Sequence, residues 1–246
     1  MSSTRDSPAL PGEPAALDPR LRTAIDASVG WCEDLCALHG VGAVISRGLW
    51  NAAGTPPPLH PDAVVVEPGV TAERVEERLT DREHAGVKDS FATLDLSSAG
   101  LQLLFSATWI HRRPAAAPVH AAAADAGGNR WTLVRTEEQL AEWTALHDTT
   151  AVLLPALLQR GHFAVLAREV EGRIVAGAVA RLGSGAVDVS NTYAVEGHRL
   201  DWTELADAVA ALFPARPLVG YQRGADLQAA LAGGFEAVGD LRVWIR

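Results

Sequence analysis

The second half of the chain carries the clearest pattern of apolar and polar positions. Between residues 162 and 195, three apolar runs are separated by Glu-Gly at 171–172 and Ser-Gly at 184–185, dipeptides that are typical of tight turns. Each run has the length and the β-branched content of a strand. The pattern therefore predicts a three-stranded antiparallel meander.

Further predicted elements flank this meander on both sides. Residues 131–136 have the pattern of a short strand, and Thr136 with Gln139 has the spacing of a capping box that opens a helix. After the meander, Asp201 can cap a helix with one apolar face, and a strand, a glycine-closed helix and a last strand follow. The predicted order of the second half is β-α-α-β-β-β-α-β-α-β.

The first half repeats the later part of this order. Its predicted elements are two strand-like segments, a charged amphipathic helix, a strand, a helical turn and a closing strand, over residues 41–50, 62–67, 71–84, 86–94, 95–100 and 101–110. The segment from Gly100 to Trp109 also matches the segment from Gly234 to Trp244, with a difference of one residue. A matched segment within a matched order of elements indicates a tandem duplication.

A linker divides the two halves. Residues 112–130 are rich in Ala, Pro and Gly and have neither helical nor strand periodicity. We therefore predict a disordered leader over 1–19, a partial N-terminal unit over 20–112, a linker over 113–130 and a C-terminal unit over 131–246.

Composition and charge exclude several classes of function. The chain has 30 acidic and 21 basic residues and no basic run interleaved with aromatic residues, so we expect no nucleic-acid partner. We recognise no signal peptide, targeting helix or membrane span, which predicts a cytoplasmic protein without a membrane partner. Cys32 and Cys36 are expected as buried free thiols on a helix. Lys88 is the only lysine, which we interpret as compositional bias.

The element order of residues 131–246, together with the run Gly-Gly-Phe-Glu-Ala-Val-Gly at 233–239, resembles the GNAT superfamily of N-acetyltransferases. Residues 31–112 share the resemblance in part, as in tandem members of the superfamily. The resemblance implies an α/β fold with two GNAT-like units in tandem, each a mixed, mostly antiparallel sheet flanked by helices. It also implies an acyl-CoA-dependent N-acyltransferase that uses acetyl-CoA or another acyl-CoA and acts on a small-molecule amine.

The superfamily's cofactor signature is degenerate in both copies. In the family, glycines at the start of a helix let backbone amides approach the diphosphate of coenzyme A. The first copy keeps the frame at Val66 and Pro68, but Thr71, Arg74 and Glu76 occupy the functional slots. Two of these side chains replace glycine and one has the charge sign of a phosphate, so an ordinary solvated helix face is the expectation there.

The second copy is the better candidate for the cofactor. Val195 aligns with the valine of the signature, and the helix start at Asp201, Trp202 and Thr203 offers backbone amides, although the Asp201 carboxylate would oppose a nearby phosphate. The resemblance therefore implies a displaced or weaker mode of coenzyme A binding at these four residues.

Candidates for catalysis are few. The family's general acid is a tyrosine, but its slots hold Ala230 and Leu96, which leaves Tyr193 and Tyr221, the only tyrosines of the chain. Tyr221 ends a strand where the family's sheet splays open; alternatively it packs its ring and bonds its hydroxyl to the backbone. Asp188 begins a polar strand face that could supply a base or simply face solvent.

Two classes of function remain open. The first is an N-acyltransferase with Tyr221 or Tyr193 as the acid and Asp188 assisting the amine. The alternative is a catalytically degenerate tandem scaffold that binds a small metabolite or performs non-acetylating chemistry, and it predicts that Leu200 and Leu205 close the helix start near Asp201. No histidine has the partners that a metal site or a hydrolytic triad needs, so no metal is predicted. A homodimer is compatible with either class.

Overall fold

The computed structural model describes residues 16–80, 82–114 and 131–246. Residues 1–15 of the predicted leader and 115–130 of the predicted linker lie outside the described residues. The helices are α1 (Pro19–Leu38), α2 (Ala72–Leu79), α3 (Glu137–Leu146), α4 (Trp202–Leu212) and α5 (Gly224–Ala232), with 3-10 helices at Ser97–Ala99 and Pro155–Gln159. The strands are β1 (Ala43–Ser46), β2 (Leu49–Ala52), β3 (Ala63–Val65), β4 (Gly86–Asp89), β5 (Gln102–Arg112), β6 (Trp131–Leu133), β7 (Phe163–Val170), β8 (Arg173–Leu182), β9 (Val187–Ala194), β10 (Leu218–Gln222) and β11 (Glu236–Ile245).

All eleven strands form one continuous sheet in the order β1-β2-β3-β4-β11-β5-β10-β9-β8-β7-β6. Two pairs, β3 with β4 and β9 with β10, are parallel, and the other neighbours are antiparallel. The predicted α/β fold with a mixed, mostly antiparallel sheet is confirmed. The structure adds that the sheets of the two units join edge to edge.

The units are joined by an exchange of their closing strands. Strand β5 of the first half lies between β10 and β11 of the second half, and β11 lies between β4 and β5. The ladder of β5 with β11 runs from Gln102 opposite Ile245 to His111 opposite Glu236, with two register shifts. These two strands contain the matched segments Gly100–Trp109 and Gly234–Trp244, and each half of the chain contributes its last strand to the sheet of the other half.

Local sequence signals explain the ends of several elements. The Thr136–Gln139 capping box and the Asp201 cap are both formed, as predicted. Residues 41–50 were expected as a single strand, but they form the hairpin of β1 and β2 because Arg47 and Gly48 both adopt positive φ angles. A Gly in the second position relieves the steric cost of such a turn.

Helices cover both faces of the sheet. Helix α1 packs on one face across β5, β9, β10 and β11, and a large apolar cluster lies beneath it. Helices α4 and α5 cover the opposite face of the second half, and α2 covers the corresponding region of the first half. Trp109 lies in the α1 cluster and Trp244 in the α2 cluster, and both are buried.

Two predictions about the helices can be compared with the structure. Cys32 and Cys36 of α1 are buried free thiols, as expected. Within the described ranges, no helix is both long enough and apolar enough to cross a membrane.

The strand exchange makes the second half dependent on the first. We expect a fragment of residues 126–246 to lack cooperative folding, because β10 and β11 would lose β5, whose Trp109 and Ile110 side chains are fully buried. Coexpression with residues 16–114 should restore one sharp thermal transition by circular dichroism. The thermal transition of the intact chain is the reference. A monomeric 126–246 fragment that unfolds cooperatively would contradict the expectation.

Candidate functional site

A cleft opens where the parallel ladder of β9 and β10 ends. Backbone pairing joins only Val187 and Asp188 of β9 to Leu218 and Val219 of β10, although both strands continue. The next residue of β10 is Gly220, where a Cβ atom would lie 2.6 Å from the Val189 carbonyl oxygen. Only glycine allows this close approach of the two backbones at the base of the cleft.

A β-bulge in β9 sets which side chains face the α1 side of the sheet. Asn191 has a φ of 50°, and the pairing with β8 shifts register between Gly177 and Val179. Because an extra residue is inserted there, Ser190 and Tyr193 lie on the same face as Asp188. The polar face predicted for this strand therefore points toward α1 rather than toward solvent, and Asp188 is only 3% exposed.

A cavity of about 760 Å³ lies between α1 and this region of the sheet. Its wall includes Trp31 and Cys32 of α1, the loop over residues 55–62, Lys88 of β4, residues 188–192 of β9 and residues 220–222 of β10. The cavity thus receives side chains from both halves of the chain. Its size and largely apolar wall with a few polar groups are typical of a small-molecule site.

Asp188 is a buried carboxyl group in the wall of this cavity. Burial raises its pKa to about 6, while Lys88, the Ser190 hydroxyl and Arg181 act in the opposite direction. A carboxyl group with such a pKa ionises near neutral pH and can accept a proton there, which suits a general base.

Lys88 is the residue that sequence reasoning missed. It is 6% exposed, and its Nζ donates a hydrogen bond of 2.9 Å to the Ser28 hydroxyl of α1. The ammonium lies 4.8 Å from the ring centroid of Tyr221 and 6.0 Å from that of Trp109. Burial disfavours its charge, but Tyr221, Cys32 and Asp188 outweigh this effect and raise the pKa of Lys88. The available signal was a lone lysine within the apolar strand pattern of residues 86–94.

The two tyrosines have different surroundings. Tyr221 lines the cavity, with its ring edge-on to Trp109 at 5.5 Å. Tyr193 does not line it: its hydroxyl donates to the Trp143 carbonyl oxygen at 3.2 Å, its ring stacks on His147, and burial raises its pKa. The structure therefore brings Tyr221 to the same cavity as Asp188 and places Tyr193 behind it.

The start of α4 does not have the form expected of a diphosphate site. One oxygen of Asp201 accepts hydrogen bonds from the Thr203 and Glu204 amides at 2.9 and 3.0 Å, and Trp202 is buried against Phe235. Acidic groups and occupied amides disfavour an anion at this helix start.

The residues predicted to hold the cofactor are thus separated from the cavity. Val195, Asp201, Trp202 and Thr203 do not contribute to its wall, and the Val195 amide donates to the Val175 carbonyl oxygen. Leu205 is fully buried beneath the helix. The carboxylate of Asp201, rather than the side chains of Leu200 and Leu205, occupies the amides at the helix start.

No metal site accompanies these groups in the described part of the chain. Among those residues, no three His, Cys, Asp or Glu side chains lie close enough together to hold a metal ion.

The fold is similar to those of several solved structures. No family model and no curated protein matches the chain. Among solved structures, a GCN5-related N-acetyltransferase from Kribbella flavida superposes with a TM-score of 0.59 at 17% identity, over 89% of this chain and 94% of its own. A putative GNAT-family acetyltransferase from Novosphingobium aromaticivorans gives 0.55 at 15% identity, over 92% and 95% of the two chains.

A third structure, a functionally unknown conserved protein from Staphylococcus epidermidis, has a TM-score of 0.61 at 11% identity, over 84% of this chain and 94% of its own. The resemblance to GNAT acetyltransferases is therefore confirmed over most of the chain. At these identities it is a resemblance of fold.

Asp188→Asn tests the protonation of the buried carboxyl group. Folding raises the pKa of Asp188 from about 4 to about 6. The contribution of this group to the free energy of unfolding should therefore fall as pH rises through this range and stay level above it. Asparagine imitates the protonated form. The variant should therefore exceed the wild type in free energy of unfolding by about 2 to 3 kcal/mol at pH 8, with the excess gone below pH 4. Urea titrations measure this difference; an excess that does not change with pH would show that Asp188 does not titrate there.

Proposed function

We propose that the protein transfers an acyl group from an acyl-CoA thioester, in the simplest case acetyl-CoA, to a small-molecule amine bound in the cavity. The observation that carries the proposal is the meeting of Asp188 and Tyr221 where the β9 and β10 ladder ends. The fold shared with acetyltransferase structures supports it.

Each of these two side chains has a role in moving protons. Above pH 6, ionised Asp188 accepts a proton from the ammonium form of the acceptor, and the free amine attacks the thioester carbonyl carbon. The carbon–sulfur bond breaks as the carbon–nitrogen bond forms. The Tyr221 hydroxyl is proposed to protonate the leaving thiolate, and the second proton lost by the nitrogen then returns to the Tyr221 phenolate. Overall the nitrogen loses two protons, of which one ends on sulfur and the other reaches solvent through Asp188.

The two ends of the acyl-CoA donor, the thioester arm and the diphosphate, fit the structure differently. Gly220 lines the cavity at the end of the β9 and β10 ladder, and the proposal places the thioester arm there. The diphosphate cannot use the α4 amides that Asp201 already occupies. The proposal therefore assigns no cofactor contact to Val195, Asp201, Trp202 or Thr203, and it places the phosphates away from the start of α4.

The same occupied helix start favours a second candidate. A tandem scaffold that has lost coenzyme A binding could use the cavity for a small metabolite or for other chemistry, since the cavity does not depend on the α4 amides. Acetyl-CoA binding separates the two candidates. The cytoplasmic location and the homodimer stay predictions from the sequence.

Acetyl-CoA should bind the intact chain and raise its melting temperature. The increase should grow with the ratio of the acetyl-CoA concentration to the dissociation constant. Isothermal titration calorimetry at up to millimolar ligand measures the affinity directly. Absence of both heat and thermal stabilisation would reject acyl transfer and leave the metabolite-binding scaffold.

The two tyrosines form a matched pair for testing the acid. Tyr221→Phe should lower the rate of acyl transfer to an accepted amine by about 100-fold or more, because the leaving thiolate loses its proton donor. Tyr193→Phe should change the rate by less than severalfold and instead cost about 1 kcal/mol of stability, through the lost bond to the Trp143 carbonyl. Thiol release detected with a chromogenic reagent gives the rates. The reverse pattern would assign the acid to Tyr193.

A further inference from the structure

Lys88 is a buried charge with unused hydrogen-bonding capacity. Its ammonium has three N–H donors, and one of them donates to the Ser28 hydroxyl at 2.9 Å. The Tyr221 hydroxyl also interacts with the ammonium and helps to raise the pKa of Lys88, and the rings of Tyr221 and Trp109 lie beside the cation. Since Lys88 lines the cavity, a donor that these two hydroxyl groups do not engage can bind a ligand there.

Charge pairing in the cavity wall is incomplete at two positions. Asp62 is paired with Arg82 at 2.9 Å, and the Arg246 guanidinium donates to three backbone carbonyls. Within the described ranges, no side chain of opposite charge lies within 4.0 Å of the Lys88 ammonium or of the Asp188 carboxylate, although these two groups attract each other over a longer distance. The nearby Arg181 is engaged by Asp34 at 2.5 Å. One cation and one anion therefore face the same cavity without a direct ion pair.

A purely structural role explains this arrangement poorly. Burying a charge without full pairing is costly, and an apolar side chain of similar length usually does as well or better for stability. The cost is recovered when a ligand supplies the opposite charges. Two such groups in one cavity are complementary to a ligand with both a carboxylate and an ammonium group.

We infer that the ligand of this cavity is an amino acid with a free carboxylate and an apolar side chain, whose carboxylate binds Lys88 and whose amine faces Asp188. The apolar wall at Trp31, Phe105 and Val152 receives the side chain. The inference rests on the proposed function in that it names the amine acceptor. It also makes the site composite, since Lys88 belongs to β4 of the first half and Asp188 to β9 of the second half.

Binding of matched probes without any acyl donor tests the inference. We choose L-phenylalanine, L-phenylalaninamide, which keeps the amine but lacks the carboxylate, and L-leucine with L-leucinamide as a second pair. Isothermal titration calorimetry on the full-length protein should show that at least one acid binds about 10-fold or more tightly than its amide.

Lys88→Met should remove this preference, so that acid and amide bind with similar affinity. Circular dichroism of this variant without ligand checks that it is folded at the temperature of the titration, because loss of Lys88 leaves the Asp188 carboxylate without its opposite charge. The Tyr193→Phe variant is the control and should keep the preference, because Tyr193 lies outside the cavity wall.

Several outcomes would overturn the inference: no binding of any probe at 10 mM, equal binding of acid and amide by the wild type, or a preference that survives in Lys88→Met. Loss of acetyl-CoA affinity in Lys88→Met with the acid preference intact would assign the lysine to a phosphate of the donor instead. Selective binding of the acid by a protein that does not bind acetyl-CoA would support the inference and reject acyl transfer.

Discussion

The antiparallel pairing of β5 with β11 is the interaction on which the rest of the structure depends. It joins two repeats into one sheet because each repeat gives its closing strand to the other. Helix α1 can then pack across strands of both halves. The same pairing brings β4 close enough to β10 for the Lys88 ammonium to reach the Tyr221 ring. The cavity, with the buried charges of Lys88 and Asp188 in its wall, follows from this exchange.

Much of the fold could be predicted from the sequence because its signals are local. Turn dipeptides, the Thr136 capping box and the Asp201 cap each depend on neighbouring residues, and the structure contains all of them. The exchange of strands could not be predicted in the same way. The alternation of apolar and polar residues along β5 and β11 predicts two strands, each with one buried face. This alternation does not determine which strand lies beside each of them. The repeat at Trp109 and Trp244 indicated duplication and left the pairing partner open.

The site shows the same division. Tyr221 and Asp188 could be proposed because a strand end and an alternating polar face are visible in the sequence. The role of Lys88 depends on contacts with Ser28 and Tyr221, which are 60 and 133 positions away, so its position in an apolar strand indicates an unusual residue but not its partners. The start of α4 misled in the opposite direction. The sequence indicates free backbone amides at this helix start, but in the structure the Asp201 carboxylate accepts hydrogen bonds from the Thr203 and Glu204 amides.

Covalent fusion changes the thermodynamics of a site built from two halves. If the repeats were separate chains, the exchange of β5 and β11 would be a dimerisation, and the fraction of complete sites would fall on dilution. Within one polypeptide the effective concentration of each half near the other is fixed by the connecting segment. The two halves also differ in sequence, so that the first supplies the lysine and the second the aspartate. A symmetric dimer would carry both residues twice, whereas this chain assembles a single polarised cavity at any copy number in the cell.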